Sequence, residues 1–122
     1  MSQPAKARQF AIELARIAHD DKCEDITVMD LTGLSPVTDF FVICSGTSDR
    51  QMKTAAEHMI EHGKRINEPP FGKSGLDSAS WILIDFVNVV VHIFTPEHRE
   101  YYDLELLWGD APRIDWARSA TA

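Results

Sequence analysis

Two ionisable residues, Asp85 and His92, interrupt the largely apolar run WILIDFVNVVVHIF, from Trp81 to Phe94. A carboxylate and an imidazole close together can act as general acid and base, and Ser45, Ser48 or Cys44 could be offered as a nucleophile. No G-x-S-x-G elbow is present, however, and Cys44 lies inside the apolar run FFVIC. His92 therefore reads as a structural imidazole or an interface contact rather than a catalytic base.

Other chemistries fare no better. His58 and His62 fall on one helical face at i, i+4, but no acid, cysteine or third histidine is paired with them in the sequence, so no metal site is expected. SGTSDRQ turns from a strand into a helix and offers a possible anion-binding terminus, without a P-loop lysine or a G-x-G-x-x-G. Metal-dependent nucleotidyl transfer needs converging carboxylates. Asp49 and Asp85 are candidates, but Asp49 has no second acid two residues away. A helix cap explains Ser48 and Gln51 without any ligand.

Those residues must be positioned by an α/β domain. Phe10, Leu14 and Ile17, widened by Ala7, Ala11 and Ala18, predict an amphipathic helix from about Pro4 to Asp20. DITVMDL predicts a strand, closed by Gly33, Ser35 and Pro36. Phe40 to Cys44 is apolar throughout, as in a strand buried on both faces at the centre of a sheet. Ser48 and Gln51 open a helix, lined by Met52, Ala55, Ala56, Met59 and Gly63, to about Ile66. Asn67 to Ser80 reads as a long loop. A hairpin follows, then a last helix capped by Thr95, with Pro96 in its first turn and its end near Gly109. The expected fold class is α/β, a single domain with a mixed sheet flanked by helices in the order α-β-β-α-β-β-α. Residues 1–110 form the domain, and residues 111–122 a flexible C-terminal tail in which Ile114 and Trp116 could dock.

The hairpin register decides which face is inside. A two-residue loop at Val87-Asn88 puts Ile82, Ile84, Phe86, Val89, Val91 and Ile93 on one wholly apolar face. The other face carries Trp81, Leu83, Asp85, Val90, His92 and Phe94, with Asp85 and His92 as diagonal neighbours roughly 7 Å apart at Cβ. That face is too apolar for a casual solvated surface and too polar for a dry core, which suits a protein-binding patch. Val-Asn is a poor two-residue turn, and a three-residue loop would move His92 to the other side.

Composition sets the class of partner. The chain has 122 residues, 44% hydrophobic and 25% charged, with a net charge of −7. The scattered Lys and Arg argue against wrapping nucleic acid, and the excess acid suits a basic partner. The apolar runs are too short to span a bilayer, and the charged N-terminus lacks a signal-peptide h-region. Cys23 and Cys44 read as reduced thiols in a cytoplasmic protein.

Taken together, TDFFVICSGTSDRQ, WILIDFVNVVVHIF and REYYDLELLWGDAP resemble the ribosomal silencing factor, or Iojap, family over about Asp25 to Pro112. The resemblance implies a non-enzymatic factor without a cofactor. Its fold would be related to nucleotidyltransferases but lack their metal-binding acids. Such a factor binds the large ribosomal subunit through its fourteenth ribosomal protein, blocks joining of the small subunit and represses translation. Ribosomal RNA contact would be peripheral, membranes are not involved, and a homodimer off the ribosome is a further expectation. The alternatives are a large-subunit assembly factor and a nucleotidyltransferase-type enzyme. Two positions depart from the family pattern: Ser74-Gly75 stands where Glu-Gly is usual, and Val87-Asn88 where Gly or Gly-Asp makes the turn.

On this reading the docking surface joins the mixed hairpin face to the acidic last helix. Trp81, Leu83 and Phe94 are the expected apolar anchors, and Asp85, Glu100, Asp103 and Glu105 the expected partners for Lys or Arg. His92, Tyr101 and Tyr102 complete the expected set. Leu104, Leu107 and Trp108 are expected to pack on the sheet.

Overall fold

The computed structural model describes residues 3–77 and 80–118. Helix α1 (Gln3–Asp20) buries Phe10, Leu14 and a row of alanines, as its periodicity predicts. It stops in a Schellman motif with Lys22 in the left-handed region at φ 69°. Cys23 N–H donates to the Ala18 carbonyl, and Lys22 N–H to that of His19. Strand β1 (Glu24–Asp30) follows, then β2 (Phe40–Ser45), which pairs with it antiparallel.

Helix α2 (Asp49–Arg65) starts at Ser48, whose hydroxyl accepts from Gln51 N–H at 3.1 Å. Gln51 does not close the expected box on Ser48 N–H; its side-chain oxygen accepts from the Thr47 N–H and hydroxyl instead. Its amide nitrogen donates to the carbonyls of Asp21 and Lys22, tying the start of α2 to the end of α1. At the far end Gly63 is obligatory, because a Cβ there would lie 2.4 Å from the Glu68 carbonyl oxygen.

The long loop after α2 contains a strand the sequence did not predict, β3 (Gly72–Ser74), paired antiparallel with β4 (Trp81–Asp85). β5 (Val89–Phe94) completes a five-stranded mixed sheet in the order β1-β2-β5-β4-β3, with β2 and β5 parallel. The last helix is also two pieces, α3 (Pro96–Tyr102) and the single turn α4 (Leu104–Leu107). Asp103 breaks it at φ 45° and caps the second piece. The element order is therefore α-β-β-α-β-β-β-α-α, with the expected fold class intact.

Each sheet face has its own core. α1 and α2 cover one face, against Val28, Val42, Cys44, Ile82, Ile84, Phe86, Val89, Val91 and Ile93. On the other face Met29, Leu31, Ile43, Phe94 and Ala111 form a smaller core, with Phe41, Trp81, Leu104 and Trp108 packed against it. Residues 111–118, expected as part of a tail, run along the outer edge of β1. Asp30 N–H donates to the Pro112 carbonyl, Ile114 N–H to that of Val28, and the Trp116 indole to that of Ile26. This covers an edge that would otherwise offer unpaired backbone. Residues 119–122 lie outside the described residues.

Candidate protein-docking face

The hairpin has the even register. Trp81 pairs with Phe94, Leu83 with His92 and Asp85 with Val90, so all six residues of the expected mixed face lie on one side of the sheet. The turn is built from unpromising residues. Val87 takes φ 77°, a strained value for a β-branched side chain, and Asn88 N–H donates to the Phe86 carbonyl at 3.0 Å. Asp85 makes this possible: its carboxylate accepts from Val87 N–H at 2.7 Å. The acid thus already serves the turn and is not paired with His92.

Parallel pairing of β2 with β5 adds Phe41 beside Val90 and Ile43 beside His92. At the centre, the Trp81 ring lies over Phe94 with centroids 5.0 Å apart, and over Tyr102 at 4.6 Å. The Trp81 indole N–H donates to His92 Nδ1 at 3.1 Å, and Phe41 meets the imidazole edge-on at 4.6 Å. Burial among these rings pushes the His92 pKa down to about 4, so the imidazole is neutral near neutrality.

The face is less open than the sequence suggested. Phe94 is 1% exposed and His92 4% exposed, so neither stands on the surface as an anchor or contact. The reason is α3 and α4, which fold back over this end of the sheet. Arg99 holds them there. Its guanidinium donates to Glu105 at 2.8 Å, to the Ser45 hydroxyl at 2.9 Å and to the Thr27 hydroxyl at 3.4 Å. Glu105 is therefore engaged within the chain. Of the other expected acids, Asp103 accepts from Leu106 N–H as a cap, and Glu100 is exposed with no ion pair among the described residues.

What α3 and α4 cover with one side they replace with the other. Tyr101, Leu106 and Leu107 are 81%, 77% and 72% exposed, with Tyr102 beside them. Leu107 thus fails to pack on the sheet, whereas Leu104 and Trp108 do. Half-buried Trp81 meets Tyr102, which meets Tyr101, and α4 adds the exposed Leu106 and Leu107, with Glu97, Glu100 and Asp103 along the same stretch of chain. Sequence reasoning missed Phe41, Leu106 and Arg99. Alternation in β2 could have placed Phe41 on this side, since it points opposite to Phe40 and Val42.

Among the described residues no three His, Cys, Asp or Glu side chains are grouped to hold a metal ion. His58 and His62 each meet one acid instead, Asp21 at 2.7 Å and Glu13 at 2.8 Å. Among the same residues no helix is long and apolar enough to cross a membrane.

Residues 4–122 match the family described as ribosomal silencing factor during starvation. The ribosomal silencing factor RsfS of Bacillus subtilis is 42% identical, over 85% of this chain and 89% of that protein. A mouse protein named mitochondrial assembly of ribosomal large subunit protein 1 is 34% identical over 78% of this chain, which spans 43% of its length. A crystal structure of a Chromobacterium violaceum protein superposes with a TM-score of 0.79 at 31% identity, covering 98% of this chain and 96% of that one. With its fold, its outer sheet face and these likenesses in agreement, the chain belongs to the ribosomal silencing factor family.

Proposed function

We propose that this chain binds the large ribosomal subunit through the subunit's fourteenth ribosomal protein, and by occupying that place keeps the small subunit from joining. The observation that carries the reading is the set of exposed apolar side chains on α3 and α4, Tyr101, Tyr102, Leu106 and Leu107, with Trp81 against Tyr102 and the acids Glu97, Glu100 and Asp103 on the same stretch of chain. Aromatic and aliphatic side chains supply the desolvated centre of an interface, and acids at its rim favour a basic partner. A net charge of −7 keeps any contact with ribosomal RNA peripheral. Repression of translation in the cytoplasm then needs affinity and position, and no catalytic step. Nucleotidyl transfer from a nucleoside triphosphate with magnesium, abolished by Asp49→Asn, is the result that would make the protein an enzyme instead.

The test is co-sedimentation of purified protein with large subunits, followed by a subunit-joining assay. Replacing Leu106 and Leu107 together by Asp should abolish both effects while leaving the urea midpoint unchanged, because both side chains already face water. Wild-type sedimentation of that variant would place the docking surface elsewhere. The name of the mouse relative favours a second reading, in assembly of the large subunit. Binding to precursor particles in preference to mature subunits would select it. Away from ribosomes the same apolar patch can pair with a second copy, which concentration-dependent sedimentation would reveal.

A further inference from the structure

Three rings hold Trp81. Its indole lies over Phe94 with centroids 5.0 Å and planes 25° apart, and against Tyr102 at 4.6 Å and 41°. His92 stands diagonal to it across the hairpin, since Trp81 pairs with Phe94 and Leu83 with His92. The imidazole stacks on the indole at 5.9 Å and 30°, and its Nδ1 accepts the indole N–H at 3.1 Å.

Stacking and hydrogen bonding fix different things. Ring contacts set the plane of an indole but leave two orientations within it, related by a turn of about 180° about the bond to the ring. The two differ in the edge that carries the N–H, so an acceptor is needed to choose between them. Among the described residues that acceptor is His92 Nδ1. The imidazole is 4% exposed and walled by Phe41 and Phe94, so it cannot itself reach a partner. The N–H is the only polar atom of a tryptophan side chain. With it turned in to His92, half-buried Trp81 offers carbon alone to whatever docks on it.

We propose that His92 is a positioning residue for docking: it locks the Trp81 N–H inward, so the partner must meet Trp81 with an apolar seat that holds no hydrogen-bond acceptor. This role rests on the docking function proposed above, and it fixes the chemistry of one contact. Without an acceptor at position 92 an inward N–H is stranded, and the ring turns it out to water. The orientation competent to dock becomes the minor one, and affinity falls with its population. Desolvating an outward N–H against an apolar seat adds to the loss.

The experiment compares His92→Phe with His92→Asn, each with and without Trp81→Phe. Phe keeps a buried ring without an acceptor, whereas Asn restores an acceptor at the place of Nδ1 and leaves a cavity. Titration against purified large subunits should show His92→Phe weakened by roughly tenfold. His92→Asn should bind closer to wild type, although it has the lower urea midpoint of the two. In the Trp81→Phe background neither substitution should change binding further. Nitrogen–proton spectra of the free proteins report the cause. The Trp81 indole N–H, identified by its loss in Trp81→Phe, should be protected from exchange in wild type and His92→Asn and unprotected in His92→Phe. The Trp116 indole, bonded to the Ile26 carbonyl, should not change. Binding that follows stability instead, an equal loss in both backgrounds, or an unprotected Trp81 indole in the wild type would overturn the proposal. Wild-type protein that fails to bind large subunits while its Trp81 indole stays protected would refute the docking function, and this role with it.

Discussion

The Trp81 indole N–H faces Nδ1 of His92 at 3.1 Å, and this contact fixes the imidazole tautomer. An indole nitrogen only donates, so Nδ1 must be the unprotonated nitrogen and Nε2 must carry the proton. That N–H is buried without a partner among the described residues. Adding a second proton would set two donors against each other in a site closed by Phe41, Phe94 and Trp81.

A pH dependence of stability follows. Burial lowers the His92 pKa from 6.5 to about 4, so between these values the unfolded chain binds the proton and the folded one does not. Stability is therefore fully present above pH 6.5, falls as the pH drops towards 4, and levels off below. The integrated loss is on the order of 3 kcal/mol. Urea unfolding followed by tryptophan fluorescence at pH 7, 5.5 and 4.5 should show it. His92→Gln should flatten the difference, and an unchanged slope in that variant would assign the effect to other groups.

Arg99 acts as a clasp rather than as surface charge. Its three donors meet α4, β2 and β1, and its side chain is 12% exposed. Arg99→Ala leaves Glu105 and the buried Ser45 hydroxyl without their donor, at a cost of about 1–3 kcal/mol. Arg99→Lys should recover only part of this, since an ammonium cannot span the same fork. The urea midpoint measures both. Ribosome binding should weaken in the same order, because α3 and α4 carry the exposed residues proposed to dock.

How far these features were legible in the sequence depends on their range. The hairpin register, the doubly buried β2 and the capped start of α2 follow from local periodicity and cap chemistry, and all three stand. β3 did not show itself, because Gly72, Lys73 and Ser74 have no apolar alternation and become a strand only by pairing with β4. The burial of His92 and Phe94 was equally hidden. It depends on α3 and α4 folding back under the hold of Arg99, and on a break at Asp103 that no proline or glycine announces. Charge alone could not distinguish Glu105, which is paired with Arg99, from Glu100, which has no ion pair among the described residues.

The hairpin turn stores removable strain. Val87 is held at φ 77° by the Asp85 carboxylate and the flanking pairs. A non-glycine residue there costs on the order of 1–3 kcal/mol. Val87→Gly relieves this while giving back part of it as chain entropy. The net expectation is about 1 kcal/mol of added stability, read as a higher urea midpoint with an unchanged slope. Asp85→Ala should do the opposite by about 1 kcal/mol, because Val87 N–H loses its acceptor. A neutral Asp85→Ala would mean that water replaces the carboxylate without penalty.

Glu100 and Glu105 separate association from folding. Glu100 is exposed on α3 with no ion pair among the described residues, so reversing its charge should leave stability within about 0.5 kcal/mol. Docking on a basic protein is steered by such rim acids, and their loss acts chiefly on the association rate. Glu100→Lys should therefore slow binding to large subunits most at low salt. The gap from wild type should narrow as added salt shortens the screening length. Glu105→Gln should behave differently: it weakens the Arg99 clasp, lowers the urea midpoint, and affects binding with little dependence on salt. Stopped-flow association at two ionic strengths, with unfolding measured on the same samples, distinguishes the two roles. An equal salt dependence in both variants would show that Glu105 leaves Arg99 to meet the partner, and that the clasp opens on docking.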